Sequence, residues 1–68
     1  MTVAIAFARL FARPEAETVL HYLKQVTLER VLGPDATDNE LRFLEGQRAL
    51  FKQMLSLMKQ GQQKGESI

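Results

Sequence analysis

Few residues in this chain could do chemistry, and they are scattered. There is one histidine, His21, and no cysteine. His21 has no serine or cysteine near it in sequence, so a nucleophile–base pair has no local basis. It also falls off the apolar stripe of its segment, which reads as an exposed or edge histidine. A His/Cys metal site is excluded by count. The carboxylates Glu15, Glu17, Glu29, Glu40 and Glu45 are dispersed, and each has an ordinary helix-surface or capping reading. Asp35, Thr37 and Asn39 match the first, third and fifth ligand positions of a calcium loop. The match then breaks, with Glu40 where the loop needs glycine and Gly46 where it needs a bidentate glutamate. No glycine-rich phosphate loop is present. The sequence therefore argues against an enzyme, a bound metal and a cofactor.

Two further groups carry information. Arg48, Lys52 and Lys59 share one polar edge and could track a phosphate backbone. Arg42 and Glu45 interrupt that edge, and a solvated helix face looks the same. Gln47 is the more telling residue. On a helical wheel it lies in the middle of an apolar arc, flanked by Leu44, Phe51, Met54 and Met58. A buried amide without a hydrogen bond costs roughly 1–3 kcal/mol. Gln47 should therefore find a backbone carbonyl, the Tyr22 hydroxyl or Gln47 of a second copy. Gly46 beside it costs about 1 kcal/mol relative to alanine in a helix interior, a cost that fits a place where another backbone comes close. Together they predict a tight helix crossing at Gly46 and Gln47.

These residues sit on a stretch from Asp38 to Gln60, the longest periodic segment of the chain. Thr37-x-x-Glu40 is a capping box at its start, with Ala36 and Leu41 available as a staple. Phe43, Leu44, Leu50, Phe51, Met54, Leu55, Leu57 and Met58 fill an arc of about 160°. That is too wide for one partner helix, so the segment should be covered from two directions. Upstream, Thr2 can cap a first helix over Val3 to Ala12, with Val3, Phe7, Leu10 and Phe11 on one side and Arg9 and Arg13 on another. This reads as a helix covering a core, and secondarily as a segment lying on a membrane surface. Pro14 suits the first position of a second helix, with Glu15 and Glu17 near its positive end. The second helix runs to about Leu32, although Leu28 and Leu32 leave its stripe, so it ends early or its last turn contacts something else. Gly33-Pro34 is a stop signal. After Lys59 the glycines and the loss of periodicity predict a single helical domain over 1–60 and a flexible tail over 61–68.

Sixty-eight residues make one domain at most. A core this small is marginal, and chains of this size usually add a disulfide, a metal or a partner. With no cysteine, disulfides drop out and the redox compartment stays open. A partner is left as the extra stabiliser. Nine Lys+Arg against eight Asp+Glu give a net charge of +1, low for a dedicated nucleic-acid binder of this length. The turn Gly33 to Thr37 is long for a helix-turn-helix, and the last helix lacks a dense row of Arg, Asn and Gln. No apolar run approaches the roughly 20 residues needed to span a bilayer. The apolar start has no positive charge ahead of it, and Arg9 interrupts it, a poor secretory signal.

Phe7-Ala-Arg-Leu-Phe11, Val19-Leu-His-Tyr-Leu23 and Glu45-Gly-Gln-Arg48-Ala-Leu50, followed by Met54-Leu55, resemble a group of small tailed-bacteriophage proteins. The resemblance spans about residues 7–58. Its specific part is the Glu-Gly-Gln-Arg tetrapeptide, and it departs from the pattern at Ala16, where the pattern has glycine. It implies a phage or prophage gene, often among head and packaging genes, and no established activity. The expectation is an all-α protein of three helices with the third as spine. It would act by helix-mediated assembly as a minor virion or head-morphogenesis component, in the virion or the host cytoplasm. Gly46 and Gln47 would set the crossing, and Phe51, Met54, Leu55 and Met58 would form the sticky surface toward itself or another phage or host protein. The alternatives are a small phage inhibitor of a host protein, or a nucleic-acid-binding packaging or regulatory protein using Arg48, Lys52 and Lys59.

Overall fold

The computed structural model describes residues 1–66, with side chains through Gln63. Among the described residues all regular structure is helical: α1 Val3–Leu10, α2 Pro14–Val26 and α3 Asp38–Glu66. The three helices start at the expected signals, with the Thr37 half of the capping box formed. Thr2 Oγ1 accepts the Ile5 N–H at 3.2 Å and opens α1. Pro14 is the first residue of α2, with Glu15 and Glu17 in its first turn. Thr37 Oγ1 accepts the Glu40 N–H at 3.1 Å and opens α3, which commits the third position of the partial calcium loop to capping.

The helix ends differ from the sequence expectation. α1 stops at Leu10 rather than Ala12, because the N–H groups of Ala12 and Arg13 reach back only three residues, to Arg9 and Leu10. α2 stops at Val26, six residues short of Leu32. There Thr27 is buried and its hydroxyl donates to Leu23 O at 2.6 Å, while the Thr27 and Glu29 N–H groups both converge on Lys24 O. Gly33 is consequently not a helix cap. It begins a turn closed by the Ala36 N–H on Gly33 O at 3.1 Å, with Pro34 at the position where its fixed φ suits a turn, and among the described residues no glycine adopts positive φ. α3 continues through Gly61 to Glu66, where a tail over 61–68 was expected. Ser67 and Ile68 lie outside the described residues.

Gly61 explains that continuation. A Cβ built on it would lie 2.0 Å from Ala4 O and 2.7 Å from Ala8 Cβ, so the two backbones meet where neither carries bulk. At the other end of α1, Phe7, Leu10 and Phe11 surround Met54. α1 therefore runs antiparallel to the second half of α3. Phe7 and Phe11 stack with centroids 5.8 Å apart. α2 approaches α3 mainly through its last turn, where Leu23, Val26 and Thr27 face Gln47, Leu50, Phe51 and Met54. α1 thus covers the second half of α3, and the end of α2 approaches the middle of the same apolar arc.

The cover is incomplete. At 29 residues α3 is about 43 Å long, and the molecule measures 51 × 20 × 15 Å. Its radius of gyration is 14.7 Å, against about 11 Å for a compact domain of this length. Its accessible surface is 5450 Å², roughly 1,100 Å² above that of a compact monomer of this mass. The large apolar side chains that are buried are Leu44, 4% exposed, and Phe51, 3% exposed.

Candidate interaction surface

Leu44 and Phe51 are seven residues apart on α3, two turns along one face. They form the buried edge of the apolar arc. Phe43 and Leu50, each one position earlier, form its open edge, 69% and 60% exposed. Gln47 sits between the two edges. It lines a cleft of about 190 Å³ with Leu23, Val26, Thr27, Leu50, Phe51 and Met54. Its Oε1 is buried, and among the described residues it has no hydrogen-bond partner. The Thr27 and Tyr22 hydroxyls do not serve it. The single hydroxyl proton of Thr27 goes to Leu23 O. Tyr22 is exposed and does not line the cleft.

Arg48 has a different role from the one its sequence neighbours suggest. Its Nε donates to Thr27 O at 2.9 Å, Nη2 to Arg30 O, and Nη1 to Glu45 Oε1 at 2.6 Å. The guanidinium thus gathers carbonyls left free past the end of α2, at the negative end of that helix. Glu45 holds it in place from one turn earlier. As a candidate nucleic-acid contact, Arg48 already has three N–H groups occupied inside the chain. Lys52 and Lys59 are exposed on α3.

The expected crossing at Gly46 is not found within the chain. Gly46 is exposed, and nothing lies within 4 Å of a Cβ placed on it. The close crossing is at Gly61, which the sequence reading assigned to a tail. A signal for it existed: Ala4 and Ala8 are spaced one helical turn apart and give α1 a small-residue edge. The expected sticky surface is also relocated. Phe51 is buried, Met54 and Met58 are half-buried, and Leu55 stands at the margin of exposure. The open apolar residues of α3 are Leu41, Phe43, Leu50 and, less so, Leu55, and elsewhere Val3, Leu10, Val19, Tyr22 and Val31. No group of three His, Asp or Glu side chains able to hold a metal occurs among the described residues. No helix among them is long and apolar enough to cross a membrane.

A family model describing Bbp19-like phage proteins matches residues 7–64. The chain belongs to this phage protein family. The match takes in all of α2, the Glu45–Arg48 tetrapeptide that closes the end of α2, and the Gly61 crossing. No curated protein and no solved structure matches the chain.

Proposed function

We propose that this phage protein works without catalysing a reaction, by helix-mediated protein–protein assembly, as a minor virion or head-morphogenesis component. The observation that carries the reading is the half-covered spine. α3 buries Leu44 and Phe51 but leaves Phe43 and Leu50 open beside them. Large apolar side chains left open beside the buried edge of a small helical chain support an interaction surface there. Burying it recovers about 25 cal/mol per Å², which a chain with so small a core needs. Membership of a phage family supports a place in the phage life cycle. The protein would then sit in the virion or, before assembly, in the host cytoplasm.

Mass spectrometry of purified virions and of head-assembly intermediates tests this. The expected result is the chain at fixed stoichiometry in one of those fractions. Its absence from all of them, with the free chain recovered in the host lysate, would remove the assembly reading.

A further inference from the structure

Two adjacent residues of α3 act on the last turn of α2 in opposite senses. Arg48 holds that turn down. Its Nε donates to Thr27 O and its Nη2 to Arg30 O, and among the described residues these two bonds join the end of α2 to α3. The cation also faces the negative end of that helix. Gln47 works against closure. With the turn in place, its Oε1 is shut off from solvent and has no donor among the described residues. Burial strips this oxygen of its water bonds and supplies no replacement. The closed position therefore carries a desolvation cost that lifting the turn would relieve.

The rest of α2 is loosely seated. Ala16 is buried, Leu20, Leu23 and Val26 are half-buried, and Val19 and Tyr22 are exposed. A cleft of about 270 Å³ lies between its first turns and the end of α1, lined by Leu10, Phe11, Ala16 and Val19. Another of about 190 Å³ lies beneath its last turn. α1 is held otherwise, with its backbone brought against α3 at Gly61. A segment with few buried apolar contacts opens at lower free energy than the rest of its fold. Residues 11–13 and 27–37, which flank α2, lie outside the helices, and positions at the ends of elements are where hinge motion is absorbed.

We propose that α2 is a flap that opens as a unit from an intact α1–α3 pair, with the Arg48 guanidinium as its latch and the buried Gln47 amide as the group that favours release. Opening uncovers Leu23, Val26 and Phe51 beside Leu50, which is already exposed, and gives Gln47 Oε1 to water. Residues 47 and 48 thereby set how often the apolar middle of the spine is uncovered. The device operates in the isolated chain, whether or not the chain assembles.

Native-state amide hydrogen exchange on the dilute full chain, read by NMR in low urea, tests this. The amides of Leu20 to Val26 should exchange through an opening more frequent than that of α3 around Phe51, and less steeply dependent on urea. Gln47→Met, which keeps the length of the side chain and removes the amide, should slow the α2 amides by roughly tenfold. Arg48→Met should speed them by roughly tenfold or more, and Arg48→Lys by less; should Arg48→Met fail to fold, the lysine variant carries the comparison. Amides of α2 and α3 that exchange at one rate with one urea dependence would overturn the flap. Amides of α2 that exchange faster than those of α3 but do not respond to Gln47→Met or Arg48→Lys would reduce the opening to end fraying and overturn the roles of both residues.

Discussion

The same substitution at two glycines of α3 should have opposite signs. At Gly61 an added Cβ lies 2.0 Å from Ala4 O and 2.6 Å from Ala4 C, well short of the 3.4 Å where ordinary contact begins. The obstacle is backbone, so no rotamer change relieves it, and α1 must move away from α3 by more than an ångström. Overpacking of this kind costs about 1–3 kcal/mol, and a backbone clash belongs at the upper end. Alanine returns about 1 kcal/mol of helix propensity, so Gly61→Ala should lose about 1–2 kcal/mol net. At Gly46 the propensity gain stands alone, because there is nothing for the Cβ to meet. Gly46→Ala should therefore stabilise the monomer by about 0.5–1 kcal/mol. Urea unfolding followed by circular dichroism, at concentrations too low for association, reads both values. Amide exchange over Ala4 to Ala8 shows whether α1 has come off. Gly61→Ala as stable as wild type with α1 protected, or Gly46→Ala less stable than wild type, would refute the placement of the crossing.

Other substitutions separate the inside of the fold from its open face. Phe51→Ala should cost about 3–5 kcal/mol and unfold the chain, whereas Phe43→Ala should change monomer stability by less than about 0.5 kcal/mol; equal losses in urea titrations would contradict the two-edged face. Arg48→Met leaves the Thr27 and Arg30 carbonyls without their donor and should cost about 1–3 kcal/mol, while Arg48→Lys, which keeps the charge but loses the fork, should fall between. Gln47→Leu removes an unpartnered buried amide, so the monomer should be unchanged or more stable by about 1 kcal/mol; a less stable variant in the same titrations would count against an unpartnered Oε1.

Local chemistry made the helix starts legible. Thr2, Pro14 and Thr37 act through neighbours three residues away or fewer, so reading along the chain suffices. The ends of α2 and α3 were less legible, because distant residues take part in them. α2 stops where Arg48, 21 residues on, collects its carbonyls. α3 continues past Gly61 because Ala4 comes within reach of it from the far end of the chain. Read locally, glycine is a breaker, and only the partner helix turns it into a contact. A helical wheel likewise identified the apolar arc and the misplaced amide of Gln47, but not which side a short α1 would cover. Hence Phe51, read as a free surface, is buried, Met54 and Met58 are half-buried, and Phe43 and Leu50 are the more open residues. The family was legible through one tetrapeptide, whose Arg48 and Glu45 now have a structural role at the end of α2.

The most direct test of the assembly account is a phage carrying Phe43→Lys in this chain. The variant should fold with wild-type helicity by circular dichroism, since Phe43 is largely exposed. Quantitative mass spectrometry of particles and head intermediates should then find the chain lost from the fraction that holds it in the wild type. A folded Phe43→Lys chain present at wild-type stoichiometry would contradict the claim that the open half of α3 is the surface through which this protein assembles.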